Sequence, residues 1–294
     1  MGNEFNRHRL MAKILVVGCG DIGYRVALAL HELGHSVIGV KRRTLSMPAP
    51  FPVVAADISR AGSLHCIPTD FELVLFIVSP GSRQIDAYRA LYESGLSQLL
   101  AHLAEAKPRW LMVSSSSVYG QNRGEWVDEN SPTRPLSLTA QCLVAAEQQL
   151  WSADASHCVV RFSGIYGPGR NWLLRRAAQG EAIQRNPPAY TNRIHSDDCV
   201  GVLSFLVEKL LQGKQLHACY LASDNEPAPI WDVMNWIARQ YAFPVPTALD
   251  LATEAEQNKR CGNARLTALG YEFRFPSYRD GYVRPPVENL YKPS

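Results

Sequence analysis

Long apolar runs are missing from this 294-residue sequence. The longest, such as Leu73 to Val78, fall far short of the ~20 residues that cross a bilayer. Met1 to Leu10 is polar and charged and lacks the apolar stretch of a secretory leader. Paired cysteine motifs are missing too: seven cysteines stand at 19, 66, 142, 158, 199, 219 and 261, with no CxxC and no Cys/His cluster at metal-ligand spacing. That usage fits reduced thiols and excludes a disulfide framework or a zinc ribbon. Charge of one sign is scarce, since 30 Lys plus Arg against 27 Asp plus Glu leave a formal charge of +3. Such a surplus cannot steer the whole molecule to nucleic acid, so any bound anion needs a local site. The expectation is a cytoplasmic protein with no membrane or nucleic-acid partner, in which residues 1–10 extend ahead of the first strand.

What is present is ordinary globular material, with 46% hydrophobic and 19% charged residues over a length that suits one large domain or two modest ones. Short β-branched runs at Lys13–Val17, Ser36–Val40, Pro52–Ala56, Glu72–Val78, Trp110–Ser114, Cys158–Phe162 and His217–Leu221 read as strands. Ile22–Leu33, Ser82–Ala106 and Thr139–Trp151 carry helical periodicity between them. This alternation predicts an α/β fold, a Rossmann-type doubly wound parallel sheet. Beyond about Gly164, Pro and Gly clusters separate shorter helices at Val200–Leu211 and Ile230–Tyr241. The expected division is therefore a dinucleotide-binding domain over 1–160 and a smaller substrate-binding region over 161–294, interleaved with the last sheet strands.

The most informative segment is Gly18-Cys-Gly-Asp-Ile-Gly23, which joins the strand Ile14–Val17 to a helix. In that context Gly18 permits a tight turn, Gly20 lets backbone approach a pyrophosphate and Gly23 lets the helix pack closely. The first-turn amides of Asp21, Ile22 and Gly23 would then face the phosphates. Roughly 20 residues on, where an NAD site places a carboxylate for the ribose 2′-hydroxyl, the strand ends instead in Lys41-Arg42-Arg43. Those cations suit the 2′-phosphate and favour NADP over NAD as cofactor, the alternative being a solvated basic turn. Asp57 is either an adenine contact or an ordinary turn aspartate.

Further blocks follow in order: Val113-Ser-Ser-Ser-Ser-Val-Tyr-Gly120, Val160-Arg-Phe-Ser-Gly-Ile-Tyr-Gly-Pro-Gly169, Arg193-Ile-His-Ser-Asp-Asp198 and Asn263-Ala-Arg-Leu266. With the glycine loop they resemble the extended short-chain dehydrogenase/reductase superfamily, in particular its NAD(P)-dependent epimerase/dehydratase group. The resemblance adds Ile58, Val78, Ser79 and Ser114 to the cofactor site. It gives Ser115 the hydroxyl that orients a substrate oxygen, and puts Tyr166, Arg161, Arg170 and His195 in the substrate region. It also implies homodimerisation through the helices of Ser82–Ala106 and Thr139–Trp151.

One part of the family pattern is absent. No tyrosine in the chain is followed four residues later by lysine, although active members use that pair to exchange a proton. With Glu147 taken as a common family glutamate, Thr139 falls at the tyrosine position and Leu143 at the lysine position. Neither can move a proton near neutrality. This departure resembles the atypical YeeZ-like subgroup. Tyr119 is a candidate substitute proton donor, weighed against packing in its Val-Tyr-Gly setting, and Asp197 with Asp198 reads as a helix cap rather than a dyad. Two functions remain in view: an oxidoreductase or epimerase acting on a small polar or nucleotide-sugar substrate, and a non-catalytic NADP-binding redox sensor.

Overall fold

The computed structural model describes residues 11–43, 48–251 and 258–283. The expected extension over residues 1–10 lies outside them. Seven strands form the main sheet: β1 (Lys13–Val17), β2 (Ser36–Lys41), β3 (Val53–Ala55), β4 (Leu73–Phe76), β5 (Arg109–Ser115), β6 (Cys158–Phe162) and β7 (Cys219–Ala222). Their order is β7-β6-β5-β4-β1-β2-β3, and the pairs β1/β2, β1/β4, β2/β3 and β4/β5 are parallel. All seven strands fall where β-branched runs predict them. Residues 14–17 of β1 and all of β4 are buried, as expected of strands covered on both faces.

The chain order reverses between β1 and β4, so the connections that leave these paired strands run to opposite sides of the sheet and open a crevice beyond the strands' carboxyl ends. Helix α1 (Asp21–Glu32) starts at that crevice. Its Ile22, Val26, Ala27 and Leu30 lie on one stripe and are buried. Helix α2 (Leu138–Ala153) and helix α3 (Ser196–Leu211) complete the long helices up to β7. The stretch expected as one helix over Ser82–Ala106 is instead built from Ile85–Tyr88, a π-helical segment Arg89–Gly95 and Leu96–His102. At the end of the wide turn a side chain on Gly95 would meet Ile58 at 3.0 Å, so a glycine there lets the helix press against the loop after β3.

Two compact units share the chain. The first holds the described residues of Met1–Ser114, Gln141–Val159 and Val200–Ala218, and the second those of Ser115–Ala140, Val160–Cys199 and Cys219–Ser294. Where the sequence reading draws a single boundary at residue 160, the units exchange segments: Ser115–Ala140 joins the second and Val200–Ala218 the first. The second unit has its own apolar core, in which Val233, Met234 and Ile237 of helix α4 (Ile230–Tyr241) pack with Tyr166, Tyr278 and Tyr282. Short paired strands surround it, Gly164–Tyr166 with Arg193–His195 and Glu125–Val127 with Lys259–Cys261.

Candidate functional site

The glycine loop is held by backbone alone. Gly18 and Cys19 donate to the Val40 carbonyl at 3.0 and 2.9 Å, and Gly20 donates to Gly18 at 2.7 Å. Gly18 has φ +92°, and a side chain on it would strike the Ile77 carbonyl oxygen at 2.4 Å. A side chain on Gly23 would meet the Gly18 carbonyl oxygen at 2.3 Å. Both glycines are therefore needed for the protein's own packing. Gly20 differs, because a Cβ there meets nothing closer than 3.9 Å and the residue is exposed. It is also the N-cap of α1, with no side-chain cap. A helix start that keeps its first-turn amides uncapped by a side chain, behind an open glycine, suits an incoming pyrophosphate.

Around this loop the first unit gathers the other expected cofactor residues. Lys41 ends β2 half-buried, and Arg42 and Arg43 are exposed. The Arg42 guanidinium reaches across to the loop after β4, where a Cβ on Gly81 would lie 3.6 Å from its Nη2. The Asp57 carboxylate accepts from the Ser59 hydroxyl at 2.7 Å and the Ser59 amide at 3.1 Å. The Ser59 hydroxyl bond, with the charges of Arg60 and Arg42, holds it below the usual carboxylate range. Asp57 is thus an Asx-turn residue that also faces the cationic turn. Ile58 is buried against Gly95, Val78 is buried with its carbonyl accepting from the Tyr92 hydroxyl at 3.0 Å, and Ser79 is exposed. Ser114 donates to Glu147 at 2.6 Å in a buried pair. Burial pushes the Cys19 thiol up to about 11, so it is a small core side chain rather than a reactive thiol. Leu143, at the family's lysine position, is buried in α2.

The second unit holds the expected catalytic and substrate residues. Ser115 is half-buried, and its Oγ accepts from the Ser117 amide at 3.1 Å at the head of the 3₁₀ turn Ser116–Val118. Tyr119 is 1% exposed; its hydroxyl accepts from Arg161 Nη1 at 2.9 Å, and the guanidinium sits 5.1 Å from its ring centre. Burial raises the Tyr119 hydroxyl above its ordinary range despite Arg161, so its proton is tightly held near neutrality. Arg161 is 4% exposed. Tyr166 is raised by burial as well, and its ring meets His195 edge-on at 5.2 Å and Tyr282 at 4.5 Å. The His195 ring lies 3.8 Å from Phe275 and its Nδ1 accepts from the Asp197 amide at 3.2 Å. Arg170 closes the Gly167 turn through its amide at 2.9 Å. Thr139, at the family's tyrosine position, lies in the first turn of α2.

Asp197 and Asp198 lie within the first turn of α3, past the cap position. The helix begins at Ser196, and the buried Asp198 carboxylate accepts from the Tyr271 hydroxyl and the Arg274 and Phe275 amides at 2.8 to 2.9 Å. Sequence reasoning missed this clasp because its partners lie more than 70 residues away. It also missed Arg193, Asp224 and Lys259, which are 2%, 1% and 3% exposed.

The order of the sheet and the glycine cradle have their counterpart in a family model. The NAD-dependent epimerase/dehydratase family matches residues 14–218. The chain belongs to that family. Among curated proteins it is 27% identical to the 3-diazoavenalumate denitrifying reductase of a Streptomyces species, over 92% of this chain and 99% of that protein. Protein YeeZ of Escherichia coli K12 is 23% identical, over 90% of this chain and 97% of YeeZ. Among solved structures, one from Methylobacillus flagellatus assigned to the NAD-dependent epimerase/dehydratases is 33% identical with a TM-score of 0.79, covering 92% of this chain and 96% of that one. An Agrobacterium tumefaciens short-chain dehydrogenase/reductase solved with bound NAD shares the fold, with a TM-score of 0.74 at 18% identity over 92% and 94% of the two chains. Among the described residues no helix is long and apolar enough to cross a membrane, and no group of three or more His, Cys, Asp or Glu could hold a metal ion.

Proposed function

We propose that this epimerase/dehydratase-family protein is an NADP(H)-dependent reductase of a small polar substrate, working in a reducing, cytoplasmic compartment. The observation that carries the cofactor choice is the turn after β2, where Lys41, Arg42 and Arg43 replace a ribose-binding carboxylate. Its support is positional: Arg42 extends towards Gly81 while its charge is felt at Asp57. The open Gly20 and the first turn of α1 fit a pyrophosphate, and the cationic turn fits a further phosphate. When bound, the reduced nicotinamide nucleotide supplies hydride. The chain's part is to hold the phosphates by backbone amides, to discriminate the 2′-phosphate by Arg42, and to orient a substrate oxygen by Ser115. Reduction is favoured over epimerisation by the likeness to a reductase along nearly the whole chain. Seven cysteines, none in a disulfide among the described residues, support the reducing compartment.

Titration of the purified protein with NADPH and NADH by calorimetry tests this reading. NADPH should bind more tightly, and Arg42→Ala should weaken it about 10- to 100-fold, the worth of a lost charge-assisted bond, with NADH unchanged. Equal affinities in the native protein would overturn the NADP assignment. A second reading, a non-catalytic NADP-binding sensor, is favoured by Thr139 and Leu143 at the family's proton-relay positions. Tight NADPH binding with no oxidation of NADPH by any of a panel of carbonyl, diazo and nucleotide-sugar compounds would select it.

A further inference from the structure

The amino ends of the strands face away from the cofactor crevice. Strands β1, β4 and β5 are parallel, so Arg109, the first residue of β5, stands at the edge of the sheet opposite the glycine loop. The seven residues of β5, at about 3.3 Å each, put roughly 20 Å between the two edges. At that far edge the first unit holds a cavity of about 490 Å³. Arg109, Ala155 and Ser156 after α2, Leu210 at the end of α3 and residues 213–218 form its walls. Hydrogen bonds fix the outline: Arg109 Nη2 donates to the Ser156 carbonyl at 3.0 Å, and the Ala218 carbonyl accepts from the Val159 amide at 2.9 Å and Trp151 Nε1 at 3.2 Å.

The lining has a definite chemistry. Arg109 and Lys214 bring full positive charges and His217 an imidazole, Leu210 and Leu216 bring apolar surface, and none of the lining residues is acidic. The protein does not consume the two charges. Among the described residues no ion pair within 4.0 Å engages Arg109 or Lys214. Asp154, just outside the lining, accepts from the Ser156 amide at 2.8 Å, and its bonds to Ser156 lower its pKa more than the charges of His157 and Arg109 do. Lys214 is not spent on the end of α3 either, because the Leu210 and Lys209 carbonyls are taken by the Gly213 and Lys214 amides at 2.9 and 3.0 Å. Arg109 Nε is buried without a hydrogen-bond partner among the described residues, a cost that folding alone does not recover.

We propose that this cavity binds a small organic phosphate, a phosphoryl group on a short apolar body, at a site separate from that of the cofactor. Two fixed cations match the two charges of a phosphate monoester, and its three oxygens accept from the Arg109 guanidinium and the Lys214 ammonium, with the His217 imidazole as a further donor. The apolar body lies against Leu210 and Leu216. The volume is that of a small-molecule site. With a net charge of only +3 on the chain, the attraction is confined to this cavity rather than spread along a track for a polymer.

Calorimetric titration of the full-length protein with phenyl phosphate, in the presence of saturating NADPH, tests the site. One molecule should bind per chain, and more tightly than inorganic phosphate, because the ring buries apolar surface. Lys214→Glu, at an exposed position, should weaken binding at least about 10-fold, the loss of a charge-assisted bond. Arg239→Glu makes the same change in net charge on the exposed side of α4 and should leave the Kd within about twofold. Arg109→Met should match Lys214→Glu; if it does not fold, the contrast between Lys214→Glu and Arg239→Glu decides. Equal losses in those two variants would mean general charge attraction and overturn the site. Binding that NADPH abolishes would put the phosphate in the glycine cradle and overturn it too. Equal affinities for phenyl phosphate and inorganic phosphate would overturn the apolar body of the ligand.

Discussion

The two units of this protein prepare for chemistry by different physical means. In the first, the candidate cofactor site is made mostly of backbone: glycines 18, 20 and 23, the uncapped start of α1 and the carbonyls that fix the loop. In the second, the candidate groups are buried polar side chains brought together from distant positions, such as Asp198 with residues 271 to 275 and Arg161 with Tyr119. Backbone recognition demands small residues at fixed offsets and so leaves a local pattern. A side-chain network demands only that partners meet in space.

The largest effect should come from breaking the backbone half. In Gly23→Val the added Cβ would sit 2.3 Å from the Gly18 carbonyl oxygen, a backbone atom that cannot step aside without moving the loop. NADPH affinity should fall more than about 100-fold, and overpacking should cost about 1–3 kcal/mol of stability. Retained affinity in calorimetry would mean that the loop is not the phosphate cradle. An intermediate effect is expected in the side-chain half. Asp198→Ala removes three hydrogen bonds to a buried carboxylate and should cost about 3 kcal/mol in chemical denaturation. The NADPH Kd should stay within about threefold if the two halves bind independently. A matching loss of NADPH affinity would break that separation.

Much of the main sheet and of the glycine-loop region was legible in the sequence. The seven sheet strands follow from β-branched runs, and α1 from apolar residues at 22, 26, 27 and 30 behind a glycine loop. The widened turn at Arg89–Gly95 was not legible, because a π segment keeps the same apolar residues and changes only their angular spacing. In the second unit the blocks around Ser115, Tyr166 and His195 were recognisable, but their partners were not. Asp198 reads locally as a helix cap, and nothing near it in sequence reveals the Tyr271 hydroxyl. Nothing in the Lys-Arg sequence at 259 and 260 marks Lys259 as buried. Only the inward register of a three-residue strand, fixed by Asn192 and by Arg260 lying outside, separates a buried amine from an exposed one.

The smallest effect belongs to a second buried charge of the same unit. Asp224 is 1% exposed, with Oδ1 accepting from the Glu226 amide at 3.2 Å and Oδ2 without a hydrogen-bond partner among the described residues. Nearby, Arg193 Nε and Nη1 likewise have no hydrogen-bond partner among the described residues. Burial pushes the Asp224 carboxyl up to about 7, against the opposing charge of Arg193. Its pKa in the folded protein therefore exceeds that of the unfolded chain, roughly 3.9. Relative to an uncharged side chain, the group does not oppose folding below pH ~4, and a stabilising contribution is lost as the pH rises towards and through 7. Asn in its place keeps the acceptor for Glu226 and never ionises. Asp224→Asn should thus melt a few degrees above the native protein at pH 8.5, with the gain shrinking to about a third at pH 5. A gain equal at both pH values would show that the Asp224 carboxyl is not raised, and a loss at pH 8.5 would show that it is ionised and stabilised by Arg193. The polar half would then be as fully satisfied as the backbone half, and the contrast between them would rest on sequence separation alone.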